Sequence, residues 1–297
     1  MILFQLLPSQ YHVCGVCRGG ALYLLIEAMG RNTKCEVQET VKDYSEVSRE
    51  LSERGWSVIR NLLDSSQIQL LKETFDYMLE NIRPSSEILY THSDKPVDSP
   101  GMSNLMTQWF NFHKSDRLSS TKSLAHSFRS IATEIMGVTP VLFQDILMIK
   151  KSGYKPFEWH QDYPYWPVDS PRGLLFWVPA QDVNAENGGL GFADNSHTLG
   201  IGPSINLHTG RPQSGMTGEM PANLHQITPE LTTGDVLVFT PLTWHRSGVN
   251  QTKIPRMAWS CSWLHPESHW DIERAPNHPI AKYIHNGERV TGVFTCD

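Results

Sequence analysis

The sequence predicts a mainly β protein with flanking helices, its strands forming a sandwich, a barrel or a jelly roll. Three observations carry this. From Val141 onward, short apolar runs are separated by turn signals at roughly ten-residue spacing, as in antiparallel double-sheet folds. Between Asp43 and Gly137, apolar residues recur instead at helical spacing, so helices are available to cover one sheet face. The chain has 297 residues and 39% hydrophobic content, enough for one large domain with an extension.

Residues 1–40 are that extension, expected to be poorly ordered, with a short helix over Leu22 to Met29; residues 41–297 form the main domain. Tyr44 to Arg54, with Val47 and Leu51 four apart, reads as a surface helix that Gly55 ends. Trp56 to Arg60 reads as a strand. Asp64 or Ser65 caps the next helix, which carries Ile68, Leu71, Phe75, Met78 and Leu79 on one face and closes at Pro84. Residues 85–104 are a long polar loop, a candidate lid. Met106 to His113 is a strand or short helix. Ser123 to Met136 is a helix, with Leu124, Phe128, Ile131 and Ile135 on one face and Gly137 as its stop. Strands follow over Val141–Lys150, Leu174–Pro179, Leu190–Phe192, Val236–Phe239 and Ile254–Leu264. The remainder is mostly loop, with a short helix around Pro279 to His285.

Composition excludes several classes. The net charge is −6 and no Lys/Arg stripe is present, so no nucleic-acid partner is expected. No apolar run is long enough for a membrane span, and no signal peptide is evident, so the expected compartment is the cytoplasm. The five cysteines are odd in number, which argues against a disulfide scaffold, and the Cys14-x-x-Cys17 pair has no further ligands at zinc-site spacing.

The chemistry centres on Trp159-His160-Gln161-Asp162. In a strand, residues two apart face the same side, so the imidazole of His160 and the carboxylate of Asp162 would converge. A His-x-Asp pair alone is weak evidence. It gains weight from His245, 83 residues beyond Asp162 and just after an apolar strand, and from Arg256 on the strand that follows. Two imidazoles and one carboxylate are the donor set of non-haem Fe(II) oxygenases and leave the ion three open positions. A 2-oxo acid fills two of these and O2 the third. The far carboxylate of a five-carbon co-substrate then needs a cation, for which the fork of Arg256 is suited, and a hydroxyl, for which Ser247 is placed.

At this point several segments together resemble the phytanoyl-CoA dioxygenase family of Fe(II)/2-oxoglutarate-dependent oxygenases. They are His160-Gln161-Asp162 with Tyr165-Trp166, Glu186-Asn187-Gly188-Gly189-Leu190 with Ser196-His197, Gly234-Asp235-Val236 leading to His245, Ser247 and Arg256, and the early Gly55-Trp56-Ser57-Val58-Ile59-Arg60. The resemblance covers residues 43–264 and implies a double-stranded β-helix, a cupin-like jelly roll. It implies that His160, Asp162 and His245 bind iron, that Arg256 and Ser247 hold 2-oxoglutarate, and that Gln144, Trp177 and, less directly, Lys151 line the co-substrate pocket. Halogenating relatives lack the Asp, so Asp162 disfavours chlorination. Asp194-Asn195-Ser196-His197 departs from the family's more common Pro-Gly-Ser-His.

The implied reaction is oxidation of an unactivated C–H bond of a small organic or natural-product substrate: hydroxylation, or else desaturation or cyclisation, with release of succinate and CO2. Tyr163, Tyr165 and Trp166 are candidate substrate-pocket residues, as are Trp109, Phe110, Phe112 and His113 from the lid side; the alternative for all of them is core packing. A metal-dependent cupin-type dioxygenase or isomerase without 2-oxoglutarate, and a non-catalytic binding protein on the same fold, are the other readings. The enzyme is expected to act as a monomer or homodimer.

Overall fold

The structure is a computed structural model that describes residues 11–18, 21–28, 43–81, 90–91, 107–110, 119–202, 223–276, 278, 280–281 and 284–290. The chain divides into two units, Met1–Asp43 and Tyr44–Asp297. In the first, β1 (Tyr11–Arg18) pairs antiparallel with β2 (Ala21–Ala28), with Arg18 opposite Ala21. The expected helix over Leu22 to Met29 is therefore a strand. A run that is apolar apart from Glu27 has no helical or strand period of its own, and Gly19-Gly20, the sort of pair favoured in two-residue hairpins, separates the two strand sequences.

The second unit opens with α1 (Ser45–Arg54), which buries Val47 and Leu51 and ends at Gly55 in the left-handed conformation, φ 86°. A side chain at Gly55 would sit 2.6 Å from His197 Nδ1, so glycine is required twice over. After β3 (Trp56–Ile59) comes α2 (Ser65–Asn81). Its entry is a reciprocal cap: Asp64 Oδ1 accepts from the amides of Ser66 and Gln67 at 2.8 and 2.9 Å, and Gln67 Oε1 accepts from the Asp64 amide at 3.0 Å. Leu71, Phe75 and Met78 are buried, but Leu79 is 47% exposed and does not share their face. The short strands β4 (Tyr90–Thr91) and β5 (Thr107–Phe110) follow, then α3 (Ser119–Met136), which starts four residues earlier than the apolar spacing indicated.

The remaining strands are β6 (Val141–Lys150), β7 (Phe157–His160), β8 (Gly173–Pro179), β9 (Leu190–Ala193), β10 (Gln226–Ile227), β11 (Val236–Phe239), β12 (His245–Ser247) and β13 (Arg256–Leu264). They form a seven-stranded sheet, β3-β11-β8-β13-β6-β5-β4, and a four-stranded sheet, β10-β9-β12-β7, whose pairings are antiparallel throughout. This is the jelly roll. Ile254, expected to begin the last strand, lies outside it and is 71% exposed. The expected helix near Pro279 falls partly outside the described residues; a single 3-10 turn, Ile272–Arg274, precedes it.

Strand alternation divides the core in two. On β13, Trp259, Cys261 and Trp263 face the helices, where Phe128 of α3 packs edge-on against Phe176 and Trp259 at 5.0 and 5.4 Å. Ala258 and Leu264 face the other sheet, in a second cluster with Leu175, Trp177, Leu237 and Phe239. The opening between the two sheets is the site.

Candidate active site

His160 closes β7 and His245 opens β12, and the two are direct antiparallel partners with ring centroids 4.2 Å apart. A cross-strand pair on one face is what brings them together. Asp162 arrives differently from expectation. The strand stops at His160, and Asp162 has helical backbone angles (φ −79°, ψ −37°) at the head of a 3-10 turn, Tyr163–Tyr165, that contains Pro164. The amides of Asp162 and Tyr163 both donate to the Pro241 carbonyl at 3.1 Å, and this bend swings the carboxylate back over the histidines. Its oxygens lie 3.8 Å from His160 Nε2 and 3.7 Å from His245 Nε2. The three ligand atoms fall within 4.8 Å of one another, too far apart for hydrogen bonds and well spaced to surround an ion.

The rings are held in the tautomer a metal needs. His160 Nδ1 donates to the Glu158 carbonyl at 2.7 Å and His245 Nδ1 to the Thr243 carbonyl at 2.9 Å, which leaves each Nε2 lone pair free. Burial pushes the His160 imidazole well below its ordinary range, His245 adds to this, and the Glu158 carbonyl opposes it, so the ring is a neutral ligand. Burial raises the Asp162 carboxyl, with His245 pulling the other way. Thr243 is itself fixed by donating to the Gly55 carbonyl at 2.7 Å.

The Asp194-Asn195-Ser196-His197 turn, which departs from the family text at Asp194-Asn195 only, braces the same strand through Ser196. Asn195 adopts φ 61°, a conformation that asparagine tolerates better than most residues. Ser196 Oγ accepts from the Trp244 amide at 2.9 Å, and Asp194 accepts from Trp56 Nε1 at 2.7 Å. The turn thereby pins the residue preceding His245.

A second cluster lies along β12 and onto the large sheet. Arg256, at the start of β13, is fully buried, and none of its three guanidinium nitrogens has a hydrogen-bond partner. Its guanidinium lies 5.2 Å from the Trp177 ring centre. Burial pulls it down to about 10, so it stays charged at neutral pH. Opposite it on β6 stands Lys150, also fully buried, whose Nζ donates to Ser247 Oγ at 2.8 Å. Burial, and then the charge of Arg256, lower the Lys150 ammonium to about 7, with Glu158 opposing. Gly188 makes room for it: with φ 80°, its missing side chain would meet Lys150 Cδ at 3.1 Å. Two neighbouring buried cations with no carboxylate paired to either among the described residues are costly to hold, and a dianionic ligand would offset that cost.

The candidates separate cleanly. Trp177 and Ser247 join Arg256, while Lys151 is exposed and outside the cleft. Lys150, not Lys151, shares strand parity with Gln144, six residues earlier, so alternation alone would have selected it. Tyr163 and Trp166 take the core-packing alternative: Tyr163 lies under the Arg274 guanidinium at 4.4 Å, and Trp166 packs on Phe143 at 5.0 Å. Tyr165 stays half-exposed, edge-on to His160 at 6.4 Å. Trp109 is buried among the helix-facing residues. Phe110, Phe112 and His113 lie outside the residues whose side chains are described. Composition also left unmarked several cleft residues of the large sheet, among them Gln108, Ile146, Met148, Ser260 and Ser262.

Jelly rolls with such a His-Asp-His cluster between their sheets are the architecture of Fe(II)/2-oxoglutarate-type oxygenases, and this chain is an enzyme of that class. It belongs to the phytanoyl-CoA dioxygenase (PhyH) family, which it matches over residues 51–258. The dioxygenase andF of Emericella variicolor is 24% identical over 253 residues, 77% of this chain and 78% of that protein. The epimerase SnoN, solved in complex with Fe3+, alpha ketoglutarate and nogalamycin RO, shares the fold with a TM-score of 0.67 at 18% identity, over 84% of this chain and 96% of that one. The non-heme alpha ketoglutarate dependent carbocyclase SnoK from nogalamycin biosynthesis shares it with a TM-score of 0.64 at 17% identity, over 84% and 94% of the two chains. Among the described residues, no helix is long and apolar enough to cross a membrane.

Proposed function

We propose that this enzyme couples the oxidation of an unactivated C–H bond in a small organic or natural-product substrate to the conversion of 2-oxoglutarate and O2 into succinate and CO2, with hydroxylation as the outcome and desaturation or cyclisation as its variants. His160, Asp162 and His245 would hold Fe(II), which, when bound together with 2-oxoglutarate, supplies the activation of O2. The observation that carries the reading is Arg256, buried with all three guanidinium nitrogens unpartnered, opposite Lys150, which holds Ser247, and 5.2 Å from the ring of Trp177; Trp177 and Ser247 line the same cleft as the triad. Arg256 and Ser247 would bind the distal carboxylate, Lys150 would add a second charge, and Trp177 would wall the chain between them. The apolar side chains of Ile146, Met148, Leu175 and Phe239 exclude water from the remainder of the cleft. The dependence of SnoK on alpha ketoglutarate, and the bound alpha ketoglutarate of SnoN, support the same reading. A cupin-type dioxygenase or isomerase without the co-substrate, or a non-catalytic binding protein, would leave both cations unmatched.

The test is succinate formation from 2-oxoglutarate by the Fe(II)-loaded protein. Asp162→Ala is expected to lower it by about a thousandfold or more, in step with lost iron binding. Equal succinate formation by wild type and Asp162→Ala would refute the assignment.

A further inference from the structure

The cleft extends past the triad, away from Arg256, and its far end is built differently. On β13, Ser262 follows Arg256 by six residues on the same face, and it pairs with Gln144 of β6 on one side and Leu175 of β8 on the other. The Arg256 guanidinium reaches along the strand to 5.2 Å from the ring of Trp177, the partner of Ser260, so donor chemistry rather than distance separates the two ligands. Ionised 2-oxoglutarate offers two carboxylates and a keto oxygen, all acceptors and no donor, so it cannot satisfy an unpartnered acceptor on Gln144, and that acceptor belongs to the other ligand.

Gln144 points into the cleft in phase with Ile146 and Met148, and the strand turns irregular just beside it. Ser262 faces Gln144 while Trp263 faces Leu142, so Phe143 is the extra residue of a β-bulge. Phe143 and Gln144 are consecutive, yet both turn inward: Phe143 is wholly buried in the cluster between the sheets, and Gln144 lines the cleft. Gln144 is 4% exposed, and its Oε1 is buried without a hydrogen-bond partner. A carbonyl oxygen can only accept, so the missing partner must be an O–H or N–H donor. The surroundings are neutral. Of the described residues lining the cleft, Asp162 is the one carboxylate and none is Lys or Arg, while Ser260, Ser262, Leu175 and Phe239 supply hydroxyl and apolar surface.

We infer that the prime substrate is, within the cleft, an uncharged and largely apolar molecule bearing a hydroxyl or N–H donor, and that Gln144 accepts from that donor and so decides which C–H bond faces the triad. The inference rests on the iron/2-oxoglutarate reading. It assigns Gln144 to the substrate and not, as the family resemblance suggested, to the co-substrate.

The test uses the full-length Fe(II)-loaded protein in two arms. In the first, 2-oxoglutarate is titrated anaerobically into wild type, Gln144→Leu and Arg256→Met. Gln144→Leu is expected to bind within about 2-fold of wild type and Arg256→Met at least ~30-fold more weakly. A loss in Gln144→Leu as large as that in Arg256→Met overturns the inference, whereas failure of wild type itself to bind 2-oxoglutarate refutes the underlying reading instead. In the second arm, a panel of polycyclic secondary alcohols, with their methyl ethers and carboxylate analogues, is scored for substrate-stimulated succinate formation. Wild type is expected to prefer alcohols to ethers by ~10- to 100-fold, and Gln144→Leu to lose that preference. Gln144→Met, of the same chain length, repeats the measurement if the Leu variant folds poorly. Stimulation by carboxylates over alcohols, by none of the alcohols, or an alcohol preference that survives both variants overturns it.

Discussion

Behind one end of the cleft, against its lining residues Trp177 and Ser247, Lys150 and Arg256 pair across β6 and β13; at the other end, six residues along the same two strands, Gln144 pairs with Ser262. The first end holds two buried cations with no paired carboxylate among the described residues, the second a neutral amide and a hydroxyl among apolar side chains. Both ends come from one period-two alternation, so a single pair of strands builds an anion site and a neutral site with the triad facing the space between. Under the proposed assignments, the difference teaches that charge is reserved for the co-substrate and that selection of the substrate rests on shape and on one unmet acceptor.

Removing the charged end has the largest expected effect. Arg256→Met deletes a buried cation that would pair with a carboxylate, which typically costs about 2–5 kcal/mol of binding. Affinity for 2-oxoglutarate, measured by anaerobic calorimetry, should fall by ~30-fold or more. The ligand-free variant should melt at a higher temperature than wild type, because an uncompensated buried charge is gone. Unchanged affinity would place the co-substrate elsewhere.

Lys150→Met is the intermediate case, with an expected loss in 2-oxoglutarate affinity of about tenfold. It also sharpens the comparison through pH. Lys150 titrates at about 7 in the ligand-free protein, and the ligand prefers the charged form. Wild-type affinity should therefore weaken as pH rises above 7, and the slope should be absent in Lys150→Met. Stability runs the opposite way. The unfolded chain keeps this lysine protonated up to its ordinary value of 10.5, so between pH 7 and 10.5 the unfolded state binds more protons and folding stability rises with pH. Thermal melts across that window should show the rise in wild type and a smaller one in the variant; equal slopes would mean that Lys150 is not the titrating group.

The smallest effect lies on the opposite side of the molecule. Leu79→Gln, on the exposed face of α2, should change stability by no more than about 0.5 kcal/mol and leave 2-oxoglutarate affinity untouched. A loss of several kcal/mol in urea titration would mean that Leu79 is buried by something other than α2's own packing.

Much of the charged end was legible from spacing. His160, His245, Ser247 and Arg256 lie at strand ends, and the apolar run before His245 signals its place. The route to Asp162 was not legible, because it uses the 3-10 turn after β7 and the Pro241 carbonyl rather than strand alternation. Lys150 and Gln144 were both within reach of parity, being in phase with Ile146 and Met148; Phe143 was not, because the bulge slips the phase of β6 just before Gln144 and turns Phe143 inward as well. The aromatics Tyr163 and Trp166 were ambiguous in principle, since nothing local distinguishes a cleft wall from a core, and contacts with Arg274 and Phe143 decide it. The helix expected at Leu22 failed for a related reason: an evenly apolar segment takes its form from its partner, here β1.

The central claim is that the triad and the two buried cations together form one site for Fe(II) and 2-oxoglutarate. Anaerobic titration of 2-oxoglutarate into the Fe(II)-loaded protein, followed by the visible charge-transfer absorption of an iron-bound 2-oxo acid, tests it most directly. The account predicts a saturable band with one co-substrate per chain, abolished in Asp162→Ala and weakened in Arg256→Met. A protein that binds Fe(II) yet develops no band at saturating 2-oxoglutarate would contradict it.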